Sequence, residues 1–168
     1  MPRRPLRLLA ALLLMAPAAF AGTDVLRQEA IAYARKSDTV LYRESHWRYR
    51  QEGLARRLVL YRCPDGRAFA RKTVVERPAA QAPDFDFEDA RDGYREGVRT
   101  GPGGRVVYVR DVGDARPKER TLSTPPGAVI DAGFDAAVRA QWDALMAGKS
   151  IGMQFLLPSR QRFYPVQV

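Results

Sequence analysis

Apolar and polar residues alternate with a period of two through most of the chain, and with helical spacing in two stretches. Val40 to Arg50, Leu54 to Arg62 and Ala68 to Glu76 are rich in aromatic and β-branched residues and predict three strands. Gln51-Glu52-Gly53 connects the first two. Cys63-Pro64-Asp65-Gly66 connects the second pair and is a strong turn signal, because proline pre-sets φ and glycine can take a left-handed position. Pro78 to Asp92 reads as a break carrying Asp84, Asp86, Glu88, Asp89 and Asp92. A second hairpin follows, Tyr94 to Arg99 with Arg105 to Asp111, around Gly101-Pro102-Gly103-Gly104. Lys118 to Leu122 adds a strand before the Ser123-Thr124-Pro125-Pro126-Gly127 loop. In the last hairpin, Ile151, Met153, Phe155 and Leu157 form one wholly apolar face. Pro158-Ser159-Arg160-Gln161 then turns the chain into Phe163 to Val168.

The helical stretches lie at either end of this series. Asp24 can cap a helix reaching about Lys36, with Leu26, Ala30, Tyr33 and Ala34 on one side. Phe134, Val138, Gln141, Trp142 and Leu145 mark a second helix, with Asp131 upstream as a cap and Gly148 at its end. Short connections between successive strands favour an antiparallel meander. The expected fold is α+β: one curved sheet of about seven or eight strands, covered by an N-terminal helix and by a C-terminal helix before the last hairpin.

Residues 1–21 have a different character. Arg3, Arg4 and Arg7 precede the apolar run Leu8 to Met15, and Ala19-Phe20-Ala21 supplies a small-x-small cleavage pattern. The run is shorter than the ~20 residues of a membrane span. A cleaved export signal is therefore expected, leaving residues 22–168 as a single domain in the periplasm. No cysteine follows the run, so the exported protein is not a lipoprotein and is expected to be soluble. Of 168 residues, 28 are basic and 19 acidic, a net charge of +9 that falls to +6 once the leader arginines are removed. All but four of the basic residues are arginine, the better side chain for carboxylate and phosphate.

One cysteine and one histidine exclude a disulfide framework and an all-Cys/His zinc site within the chain. A Cys63–His46 dyad fails on distance: pairing about Glu52 sets His46 opposite Leu58 and Cys63 opposite Leu41, roughly 17 Å apart along the strand. Glu44 and His46 project from one strand face, where a carboxylate can fix the imidazole tautomer, and Arg48 follows on that face. A structural ion pair is the plainer reading, since the sequence brings no third ligand or nucleophile to them. The Asp84 to Asp89 acids lack the glycine and glutamate of a calcium loop, Asp89 and Arg95 standing in those places, and their alternation with Phe85 and Phe87 fits a short strand or loop pinned by two rings. No catalytic residue, metal site or cofactor is expected.

Tyr42-x-Glu44-x-His46, Tyr61-Arg62-Cys63-Pro64-Asp65-Gly66, Phe69-Ala70-Arg71-Lys72, Ala82-Pro83-Asp84-Phe85, Gly93-Tyr94-Arg95-Glu96-Gly97 and Ala132-Gly133-Phe134-Asp135 span most of the exported chain. Together they resemble an uncharacterised family of small secreted proteobacterial proteins, which implies export and an antiparallel sheet. The order helix, meander, helix, hairpin is also similar to periplasmic lipoprotein carriers of the LolA/LolB kind. That resemblance implies a half-open barrel holding acyl chains in an apolar concavity.

The functional expectation is a non-enzymatic binding protein. Phe134, Val138 and Trp142 of the second helix, with Met153 and Phe155 of the last hairpin, would bind a lipid or other apolar ligand in the concave face of the sheet. Glu44, His46 and Arg48 are the polar candidates. One alternative is an interaction module whose arginine-rich strand face engages an anionic component of the cell envelope. Another is a hydrolase using Glu44 and His46. Export removes nucleic acid as a partner.

Overall fold

The computed structural model describes residues 24–168; the leader expected over residues 1–21, with its cleavage site, lies outside them. Eight strands run in sequence order as one antiparallel meander: β1 (Leu26–Tyr33), β2 (Val40–Gln51), β3 (Leu54–Arg62), β4 (Ala68–Ala79), β5 (Ala82–Asp89), β6 (Arg95–Gly101), β7 (Gly104–Arg110) and β8 (Lys118–Leu122). A second sheet has the order β11–β10–β9, from β9 (Ala128–Ile130), β10 (Gly152–Leu157) and β11 (Arg162–Gln167), with β9 and β10 parallel. Between β9 and β10 come a 3-10 turn at Asp131–Gly133, α1 (Phe134–Ala140) and α2 (Trp142–Met146). Strands hold 57% of the described residues and helices 12%, so sheet does the covering expected of helices. Among the described residues no helix is long and apolar enough to cross a membrane.

The hairpins match their turn chemistry. Glu52 and Gly53 both take positive φ (55° and 75°), which makes a two-residue turn of the type that suits strand twist. At the next turn Gly66 has φ 89° and donates its N–H to the Cys63 carbonyl at 2.9 Å. The Pro78 to Asp92 region is no break: strand β5 occupies most of it, with its acids on an ordered ladder.

Two expectations about helices are corrected. Asp24 to Lys36 is not a helix; it contains β1, all eight residues of which pair with β2. A stripe made of Leu26, Tyr33 and two alanines has too little apolar area to hold a short helix against anything. The C-terminal helix is also not continuous, because Gln141 leaves the helical region (φ −112°, ψ 13°) and separates two short pieces. Only Ala137 of α1 is buried. Its small side chain lets α1 approach Val129 and Met153, and that contact, not the larger stripe, orients the helix.

Register explains where the core sits. One rung of residues facing the second sheet crosses all eight strands as Leu26, Arg48, Arg57, Val74, Phe85, Val98, Val107 and Arg120. Its members Val74, Phe85, Val98 and Val107 are buried and pack on Ile130 of β9 and Leu156 of β10. Flanking basic groups fasten the layers. Arg57 donates to the Ala132 carbonyl at 2.6 Å, and Lys72 pairs with Asp131 on the 3-10 turn.

Candidate ligand-binding face

The second sheet covers only part of the meander. The next rung runs Gln28, His46, Val59, Lys72, Phe87, Glu96, Val109 and Lys118. After it come Ala30, Glu44, Tyr61, Ala70 and Asp89. Because directly opposed residues share a face, Tyr61 of one rung and Phe87 of the other lie on the same side of the sheet as diagonal neighbours. Tyr61 lies 5.8 Å from Phe87 in an edge-on contact, 6.0 Å from Tyr42 and 6.2 Å from Phe69. Tyr94 extends the row at 6.4 Å from Phe87. These separations are those of favourable ring pairs. All five rings are half-buried.

A cavity of about 440 Å³ opens over the row, walled by Leu41, Tyr42, Tyr61, Cys63, Phe69 and Phe87, with Asp89 and Arg91 at its rim. Phe69 enters because β3 and β4 shift register between Tyr61 and Arg62. The Arg91 guanidinium lies 4.0 Å from the centre of the Phe69 ring and grips Asp89 with two hydrogen bonds, of 2.9 and 2.6 Å. Cation over ring and fork on carboxylate together hold the rim in one geometry.

The polar groups beside this cavity are partnered. His46 Nε2 lies 2.7 Å from Glu44 Oε2, as the shared strand face implied. Tyr94 donates its hydroxyl to Glu96 at 2.7 Å. Burial, then the Glu44 charge, pushes the Tyr61 phenol far above its ordinary value, so it stays neutral. Burial likewise raises Glu96, and the Tyr94 hydrogen bond opposes it. Arg48 lies a rung away, next to Arg57. Among the described residues no three His, Cys, Asp or Glu side chains are grouped to hold a metal ion.

The five apolar residues expected to form the site have a different setting. Met153 is buried against Val129 and Ala137, and Phe155 packs on that cluster while meeting Phe134 edge-on at 6.1 Å. Val138 is half-buried, and Trp142 is 54% exposed on α2. Met153 alone of the five lines a groove, a smaller one of about 180 Å³ beside Ala137 and Ile151. The sequence reading did not place Tyr42, Tyr61, Phe69 and Phe87 together. The signal available was a ring on each of four successive strands, and placing them on one face needed the correct register and the β4 bulge at Phe69.

The rim is sensitive to acid. The Arg91 hydrogen bonds hold the Asp89 carboxyl below its ordinary value of 3.8. Its contribution to stability is therefore complete above that value and is lost as pH falls through the lowered one. Asp89→Asn is expected to lower Tm at neutral pH and to flatten the fall in Tm below about pH 4, read by calorimetry across a pH series. An unchanged acid limb would show that this pair does not govern it.

No family model, curated protein or solved structure matches this chain.

Proposed function

We propose that this protein is a non-enzymatic carrier that holds the acyl chain of a lipid against Tyr42, Tyr61, Phe69 and Phe87, in the periplasm after removal of its leader. One observation carries the reading: these rings wall a cavity of about 440 Å³ on the part of the sheet that β9–β11 leave uncovered. That volume falls within the range of small-molecule sites, and its wall is apolar with few polar groups, as such sites are. The neighbouring chemistry suits binding over catalysis. Arg62 is level with Arg43, which sets Cys63 at least three residues, about 10 Å, along the strands from His46. Glu44 and His46 satisfy each other, and among the described residues neither bonds to a hydroxyl or thiol.

Beyond the arginine-rich strand β2, a second cluster on β6 and β7 draws less support as a site for an anionic partner. Arg95, Arg99 and Arg110 surround a depression of about 300 Å³, but each is already engaged, by Asp86, Glu119 and the Gly93 carbonyl. An anion would have to displace these partners.

The test is native mass spectrometry of the exported protein, followed by titration with a fluorescent fatty acid. A bound mass that solvent extraction identifies as lipid is expected, with saturable probe binding. Phe69→Ala and Phe87→Ala should each weaken the probe about tenfold while the far-UV spectrum is kept. An empty protein that fails to saturate with the probe overturns the proposal.

A further inference from the structure

Each sheet has two edges, and three of the four are closed to pairing. β9 is three residues long and buried, and its Ile130 N–H already donates to the Gln81 carbonyl at 2.9 Å. β11 carries Pro165, which has no N–H to offer. β8 is five residues long, bears Lys118, Glu119 and Arg120, and has its Lys118 carbonyl occupied by the Gln161 amide at 2.9 Å. β1 is the least protected, its two charges, Arg27 and Glu29, being of opposite sign. It is eight residues long without proline or lysine, and almost all of it is exposed, with Leu26 67% and Tyr33 54% accessible. A long bare edge with exposed apolar side chains is a template for another strand.

The charges on β1 say which strand. Arg27 and Glu29 share a face and pair at 2.8 Å within one molecule, where Glu29 also accepts from the Ser45 hydroxyl at 2.9 Å and Arg27 lies over the Trp47 ring, yet half or more of each side chain stays exposed. An antiparallel pairing of two β1 strands centred on Gln28 sets Arg27 of each copy opposite Glu29 of the other. It also sets Val25 opposite Ile31, and Leu26 opposite Ala30. Sliding the register by two residues either way brings two arginines or two glutamates face to face, which is unfavourable. Charge thus selects one self-complementary register, the kind a two-fold axis requires.

We propose that two copies of this chain associate through β1, antiparallel about a two-fold axis at Gln28. The two meanders then continue as one sheet. The faces that carry the aromatic rows lie side by side, and the least protected edge among the described residues is gone. This assembly does not depend on what the aromatic face binds.

Sedimentation equilibrium of the purified protein tests it. The mass is expected to rise from one protomer to two, and no further, by roughly 100 μM, the regime of a modest interface. Arg27→Glu opposes carboxylates on both sides of the axis and should weaken association about tenfold. Adding Glu29→Arg restores unlike pairs and should recover it. Gln28→Cys in a Cys63→Ser background should oxidise to a disulfide dimer without denaturant, because opposed residues across an antiparallel pair lie within bridging distance. A protein that stays monomeric overturns the proposal. So does a dimer indifferent to Arg27→Glu, or a charge swap that stays dissociated with a native far-UV spectrum.

Discussion

Replacing Arg105 with methionine is expected to lower the free energy of unfolding by about 3–5 kcal/mol, the cost of leaving one member of a buried ion pair behind. Arg105 is 2% exposed, among the most enclosed side chains of the protein. Its guanidinium donates to Thr100 Oγ1 and to the Pro83 carbonyl, each at 2.7 Å, and reaches Asp84 at 2.9 Å. Thr100 in turn donates to Asp84 at 3.0 Å, which closes a ring that ties β5 to one end of the β6–β7 hairpin. Arg77 supports Asp84 from β4 at 2.7 Å, but its side chain is more than half exposed and water screens it. Methionine fills much of the volume without donating, so Asp84 and the Pro83 carbonyl lose their buried partner. Urea unfolding measures the effect as a lower midpoint. Asp84→Asn combined with Arg105→Met should cost less than the two single changes added, because the charge left unpaired by one is removed by the other. Full additivity would mean that the ring is not a unit.

The strands of the meander were legible because each has a local cause. Alternation marks β2, β3, β4, β6, β7, β8 and both strands of the last hairpin, and turn residues separate them. β5 was only half legible: acids and prolines read as a break, while Phe85 and Phe87 alternating between the acids fitted a short strand or a loop alike. β1 was misread for the opposite reason. Its pattern fits a weak helix as well as a strand, and what decides is the adjacent edge of β2, a tertiary partner that no local window contains. β9, three buried residues after a proline-rich loop, gives no periodic signal at all.

The site was less legible than the fold because its neighbours lie across strands, not along one. Pairing β2 with β3 about Glu52 sets His46 opposite Leu58; the two-residue turn at Glu52 and Gly53 sets it opposite Val59. That slip of one residue decides whether Leu58 and Leu60, or Val59 and Tyr61, share a face with Glu44 and His46. With the register corrected, Tyr61 joins Phe87 on the open face. The Glu44–His46 pair survived the slip because both residues are on one strand. The stripe on the C-terminal helix failed for another reason: helical spacing states that residues share a side, not which side is buried. Ala137, which the stripe omits, is the residue that packs.

Gly97→Ala is expected to destabilise the protein by about 3 kcal/mol, the upper end for an added methyl group in a packed interior. Gly97 is buried on β6, opposite Tyr108 of β7 and Asp86 of β5. A methyl group there would come within 2.2 Å of the Tyr108 hydroxyl oxygen and 2.4 Å of the Phe85 carbonyl oxygen. The bare glycine therefore lets Tyr108 lie across β6 and donate its hydroxyl to Asp86, which Arg95 also contacts at 2.9 Å. A tyrosine side chain can rotate away, at the loss of one hydrogen bond worth about 1 kcal/mol. The Phe85 carbonyl is backbone and cannot move unless β5 separates from β6, beside the buried Phe85–Val98 rung. Thermal unfolding of three variants distinguishes these costs. Tyr108→Ser should relieve only part of the Gly97→Ala defect when combined with it. Gly152→Ala, where nothing lies within 4 Å of the added carbon, should be neutral. Complete rescue by Tyr108→Ser would place the whole constraint in the ring and none in the backbone of β5.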